Sequence, residues 1–195
     1  MNRAQQKSTT RERILGVAVR RMRELGLDGA GVNAVMKAAG LTHGGFYSHF
    51  ESRDDLAVQA LVEATRQQRQ HWISGIEKTP CEQRAAHLAA RYLSPTHRNN
   101  SDTSCPVPSI AGDLAHASEP LRQAFQEELL ETVQTLQVLL DDEGGTSARR
   151  EAMGTMALCI GGMVMARAVA DRELSDEILA AARALAGEVK HREAS

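Results

Sequence analysis

Cysteine is scarce in this chain, with three in 195 residues. Cys81, Cys105 and Cys159 stand too far apart to read as a disulfide framework or a C-x-x-C metal clip, so a reducing, cytoplasmic setting is expected. Aromatic residues make up only 3% and prolines number five, and no segment alternates polar and apolar residues as a half-buried strand does. Long apolar runs are also missing. The longest, 156–166, is interrupted by two glycines and falls well short of the roughly 18 residues that would span a bilayer. The polar start MNRAQQKSTTRER lacks the apolar core of a signal peptide. Neither H-E-x-x-H, nor a phosphate-binding glycine loop, nor G-x-S-x-G is present, which argues against an enzyme, and no cofactor or metal is expected.

What the chain does have is helical periodicity and an uneven charge. The net charge is −2, yet residues 1–50 hold eight Lys or Arg against three Asp or Glu. A basic front on an acidic body is the asymmetry of a protein that turns one end toward a polyanion. Ile14, Leu15, Ala18, Met22 and Leu25 form an apolar stripe over 10–25, ended by Gly26. Val32, Val35, Met36 and Ala39 make a second stripe that stops at Gly40, and a third short helix is expected over 43–50. Ser52 opens a long helix over 54–78, with Asp54 and Asp55 in its first turn.

Further helices are expected over 82–93, 109–117, 119–140, 147–172 and 175–190. The stretch SPTHRNNSDTS reads as a loop, Pro106 and Pro108 open the element after it, and Asp141, Asp142, Gly144 and Gly145 mark a turn. The expected fold is all-α with about nine helices. A three-helix unit over 1–53 would be succeeded by a larger helical body over 54–195.

Function is most legible in VNAVMKAAGLTHGGFYSHF, 32–50. Ala38 and Ala39 allow close helix crossing, Gly40 can take the left-handed turn, Leu41 plugs the corner and Thr42 is placed to cap the second helix. On that second helix Phe46 and Phe50 share a packed face. Gly44, Gly45 and Ser48 lie opposite, with Tyr47 and His49 on the flanks. Small residues let backbone approach a groove, and Thr42, Tyr47 and His49 offer donors to phosphate oxygens. This is a helix-turn-helix, and its expected partner is double-stranded DNA.

The first 62 residues resemble the DNA-binding domain of the TetR family, most closely in AGLTHGGFYSHFESRDDL, 39–56. The resemblance implies that Thr42, His43, Gly45, Tyr47 and His49 touch DNA, with the adjoining Gly44 in the same face, and that Arg53 takes the place of a phosphate-holding lysine. Gly31, Met36 and Gly45 depart from residues common there. ARAVADRELSDEILAAAR, 166–183, is similar to the carboxyl-terminal helices of one subgroup. By the same resemblance the last two helices pair across a two-fold axis in a homodimer. Gly154, Leu158, Gly161 and Met165, on one helical face, are the candidates for that seam. Central helices would enclose a pocket for a small-molecule effector, with Trp72, Tyr92, Cys105 and His116 as candidate lining. Cys105, near an expected helix start, is also a candidate thiol for an electrophilic effector. The whole reading is a repressor that leaves its palindromic operator when the effector binds. A metal-binding sensor or a helical interaction module are the alternatives.

Overall fold

The computed structural model describes residues 2–100, 103–140 and 146–188. Among them there are nine α-helices, two short 3-10 helices and no strand: α1 (Arg3–Gly29), α2 (Val32–Ala38), α3 (Arg53–Ile73), α4 (Cys81–Tyr92), α5 (Pro95–Asn99), α6 (Val107–Leu114), α7 (Glu119–Leu140), α8 (Thr146–Ala168) and α9 (Arg172–Glu188). The 3-10 helices are His43–Ser48 and Ile76–Lys78.

Several boundaries move for local reasons. α1 begins well before its apolar stripe, because Asn2 caps Ala4 and Gln5 while the Gln5 side chain accepts the Asn2 backbone N–H. This capping box starts a helix whose first two turns have no apolar face, so a search for periodicity misses them. Gly26 interrupts α1 as expected, at φ +71. α3 stops at Ile73, ahead of the left-handed Gly75. The stretch expected as a loop after Tyr92 instead contains α5, opened by Ser94, whose hydroxyl accepts the His97 N–H at 3.1 Å. α8 ends at Ala168, and Asp171 caps α9 from Arg172 by accepting the N–H groups of Glu173 and Leu174. The expected turn at Asp141, Asp142, Gly144 and Gly145 lies outside the described residues, as does the end of the last helix.

The chain forms two compact units, 1–67 with 105–128 and 68–104 with 129–195. This division differs from a single cut after residue 53. In the first unit the short helices alone would bury too little surface. Leu56, Ala60 and Leu61 of α3, Ile110 and Leu114 of α6, and Leu121 and Ala124 of α7 therefore join Ile14, Met22, Val35, Met36, Phe46 and Phe50 in one core. α6 lies close on α1. The Ser109 hydroxyl donates to the Arg23 carbonyl at 2.8 Å, the Asp113 carboxylate accepts the Leu27 N–H at 3.3 Å, and a Cβ on Gly26 would stand 3.0 Å from both the Ser109 carbonyl oxygen and the Asp113 carboxylate.

In the second unit the core is formed by Trp72, Leu88, Leu93, Val133, Leu136, Leu140, Cys159, Met163 and Leu179. Arginines satisfy the carbonyls that helix ends leave without partners. Arg84 donates to the Leu139 carbonyl, Arg91 to those of His71, Trp72 and Ser74, and Arg183 to that of Leu93. α8 meets α9 closely at Gly162, where a Cβ would stand 3.0 Å from the Ala182 methyl and from Leu93 Cδ2.

A Gly162→Val substitution is accordingly expected to destabilise the protein by about 1–3 kcal/mol through overpacking. Gly112→Ala, where nothing lies within 4 Å, should stabilise α6 by up to about 1 kcal/mol. Chemical denaturation of both variants checks the contrast, and a harmless valine at 162 would contradict the close crossing.

Candidate functional site

The corner between α2 and the 3-10 helix after it is closed by backbone geometry. Gly40 sits at φ +68 and donates to the Lys37 carbonyl at 3.0 Å, while Leu41 donates to the Met36 carbonyl at 2.9 Å. These are the paired bonds of a Schellman motif, which requires a left-handed residue and so favours glycine. Leu41 then packs against the core.

The expected recognition α-helix is a 3-10 helix over His43–Ser48. Gly44 and Gly45 are poor helix formers and the segment is short, so the tighter ladder wins until Phe50 donates to the Phe46 carbonyl at 3.1 Å. Thr42 has the extended backbone of a cap but its side chain makes no capping bond. Its expected capping role is therefore not seen, and the residue is exposed. The packed face is as expected. Phe46 and Phe50 are 0% and 2% exposed with rings stacked 5.6 Å apart, whereas Tyr47, edge-on to Phe46, is 66% exposed.

Thr42, His43, Gly44 and Tyr47 thus share an open surface. Gly45 is turned partly inward, with its Cβ direction toward Met36 Cε at 3.8 Å. His49 is half-buried rather than a free flank residue, and its Nδ1 has no partner. Its pKa is lowered by burial first, then by the charges of Lys7 and Arg11. Arg53 opens α3 and is well exposed, with only a 4.0 Å approach to Asp28, a contact of little energetic weight at a surface.

Two supporting residues lie outside the sequence motif. Arg11 lies 5.0 Å from the centre of the Phe50 ring and donates to Gln59 of α3, which in turn donates to Asp55. Lys7, one turn earlier on α1, is exposed and is near enough to His49 to depress its pKa. The lysine and arginine spacing of α1 was the signal available for both. The first unit therefore presents donors, small residues and cations on the surface around Tyr47, as phosphate and groove contacts need.

In the second unit Trp72 and Tyr92 do come together, with rings 5.0 Å apart, beside a cavity of about 180 Å³ that His97 also lines. Cys105 and His116 belong to the first unit and do not line that cavity. His116 is exposed, and Cys105 is only 6% exposed, short of the access that a reactive thiol needs. His97 was missed, since a histidine in an apparent loop carries no pattern. Its pKa is lowered to about 4, chiefly by burial, against a raising bond to the Tyr92 carbonyl at 2.6 Å and with lesser lowering from Arg167 and His71.

Gly154, Leu158, Gly161 and Met165 all lie on the side of α8 that its own core leaves uncovered. Met153, Val164 and Met165 of α8 and Leu174 and Leu185 of α9 are large exposed hydrophobics, and nothing lies within 4 Å of a Cβ on Gly154 or Gly161. Among the described residues no group of three His, Cys, Asp or Glu side chains could hold a metal ion, and no helix is long and apolar enough to cross a membrane.

Residues 14–60 match the family model described as bacterial regulatory proteins, tetR family. Over 160 residues the chain is 28% identical to the HTH-type transcriptional regulator LmrA of Bacillus subtilis, covering 80% of this chain and 85% of that protein. Its fold is that of a TetR transcriptional regulator from Chloroflexus aurantiacus, with TM-score 0.77, 22% identity and 94% of each chain covered. Reduced NemR of E. coli matches with TM-score 0.76 and 20% identity, covering 91% of this chain and 95% of that one.

Phe50→Ala should destabilise the first unit by about 3–5 kcal/mol, while Tyr47→Ala should stay within about 0.5 kcal/mol of the parent. Equal losses in thermal unfolding would place Tyr47 in the core. For His97 the folded pKa lies below the ordinary 6.5, so below pH 6.5 the unfolded chain takes up the proton and the folded chain resists it. Stability should therefore fall between about pH 6.5 and pH 4 and the loss should level off below that, with His97→Gln flattening this window in denaturant titrations. An unchanged acid limb in the variant would contradict the assignment.

Proposed function

The chain belongs to the TetR family of bacterial regulatory proteins, and from that premise we propose that it is a ligand-responsive repressor. It works in the cytoplasm as a homodimer, binds a near-palindromic operator, and is released when a small molecule occupies the second unit. The observation that carries the DNA-binding part is the open surface of Thr42, His43, Gly44 and Tyr47, braced from behind by the buried Phe46 and Phe50 and flanked by Lys7 and Arg53. Tyr47 and Thr42 supply hydroxyls to phosphate oxygens. His43 reaches base edges or backbone, and the bare backbone at Gly44 allows close approach to the groove. Arg53 and Lys7 add positive charge at the margins.

The exposed apolar face of α8 and α9 supports the homodimer. Methionines and leucines on a surface beside two glycines with open space suit close packing of the same helices from a second copy. Such a two-fold pair reads two half-sites about one DNA turn, ~34–36 Å, apart or a multiple of it. The cavity at Trp72 and Tyr92 supports the effector role. The coverage of Cys105 favours a ligand held without a covalent bond over an electrophile.

A mobility shift on the DNA upstream of the coding region tests this. Binding should weaken steeply as salt rises, because each neutralised phosphate releases counterions. Tyr47→Ala should lose about tenfold or more in affinity while remaining a dimer. Gly161→Leu should give a folded monomer by sedimentation that no longer holds the operator. Salt-independent binding, or tight operator binding by that monomer, would overturn the reading.

A further inference from the structure

The cavity of the second unit is specific enough in size, wall chemistry and charge to name a ligand class, and this rests on the ligand-responsive reading above. At about 180 Å³ it is far smaller than the roughly 300–1,000 Å³ of pockets for drug-sized ligands. It is close to the ~150 Å³ that holds a benzene ring in an engineered protein cavity. One wall is aromatic. Trp72 and Tyr92 stand 5.0 Å apart at 54°, Trp72 is fixed by donating its indole N–H to the Leu88 carbonyl at 2.8 Å, and His97 packs edge-on to Tyr92 at 4.4 Å. Two fixed ring systems beside a single-ring volume favour a flat, π-bearing guest.

The wall carries a fixed charge. Arg91 is the one permanently ionised side chain among the described lining residues. Arg91 uses Nη1 on the three carbonyls at the end of α3, which holds the guanidinium in place, and among the described residues its Nε and Nη2 have no hydrogen-bond partner. A guanidinium fixed on one edge with its other edge unused is suited to receive a carboxylate. His97, its pKa lowered to about 4 chiefly by burial, is neutral at pH 7 and adds no charge to the wall.

A third observation comes from Gln68. It is 6% exposed, it lines the cavity, and its Oε1 is buried with no hydrogen-bond partner. A buried amide oxygen left without a donor is costly, and a guest bearing an O–H would relieve it once the amide turns toward the cavity.

We propose that the ligand is a single-ring aromatic carboxylate carrying a ring hydroxyl, with its carboxylate on Arg91, its ring against Trp72 and Tyr92, and its hydroxyl donating to Gln68. Trp72 is the sole tryptophan of the chain, so its fluorescence reports occupancy of this wall directly.

The test titrates the full-length protein with 3- and 4-hydroxybenzoate, benzoate, 4-hydroxybenzamide and tyramine, by calorimetry and by Trp72 fluorescence. At least one hydroxybenzoate should bind and change the fluorescence. The neutral amide and the cationic amine should each bind about tenfold or more weakly, as loss of a charge-assisted pair requires. Gln68→Leu should abolish the preference for hydroxybenzoate over benzoate, and Arg91→Gln the preference for acid over amide. The acid-to-amide ratio on the unaltered protein needs no variant, so it decides even if loss of the Arg91 cap impairs folding. Amide or amine binding as tightly as the acid, or no hydroxybenzoate binding at all, overturns the ligand class and leaves other effectors open. Binding of the acid with no effect on the operator complex upholds the class and contradicts ligand-triggered release.

Discussion

Burial of Phe46 and Phe50 is the interaction on which the surface proposed to face DNA depends. These two rings are the only large side chains that the segment 43–50 gives to the core, and they fix its rotation about its own axis. With Phe46 and Phe50 turned in, Tyr47 has to point out. The ring of Phe50 is not left to packing alone, since Arg11 covers it and is itself tied through Gln59 to Asp55 at the start of α3. The same bonds connect α1, the recognition segment and α3, so the exposed residues are carried on three helices that cannot shift independently. A positioned surface of this kind is what phosphate contacts require, because they set register before any base is read.

The contact between α1 and α6 brings a second constraint to the first unit. Gly26 allows backbone of α6 within 3.0 Å of its would-be Cβ, and Asp113 holds the Leu27 N–H. In the second unit the wall of the cavity is held just as closely. Arg91 spans the end of α3, and Trp72 and His97 are each fixed by a bond to a backbone carbonyl. A ligand that alters a site so held must act on helices, not on loose side chains.

Much of this was legible in the sequence because the relevant signals are local. Gly40 with Leu41 after it announces a left-handed corner, and two phenylalanines four apart announce a buried face. Ser52 before two aspartates announces a helix start, and its hydroxyl does accept the Asp55 N–H at 3.0 Å. The features that stayed hidden depend on partners distant in the chain. The 3-10 geometry of His43–Ser48 reflects competition between two glycines and the pull of the core, which periodicity cannot weigh. The half-burial of His49 depends on α1, the place of Arg11 on Gln59 of α3, and the role of His97 on Tyr92 and Arg167. The unit that contains Cys105 and His116 is set by the path of α6 and α7, so residue type alone could not separate them from Trp72 and Tyr92.

The central claim is that the surface around Tyr47 reads DNA as a two-fold pair, and a hydroxyl-radical footprint on the DNA flanking the coding region tests it most directly. Two protected patches of similar extent are predicted, related by an inverted repeat and centred about one helical turn, ~34–36 Å, apart or a multiple of it. Both should be lost together when Tyr47 is replaced by alanine. A single patch, or two patches that persist without the Tyr47 side chain, would contradict it.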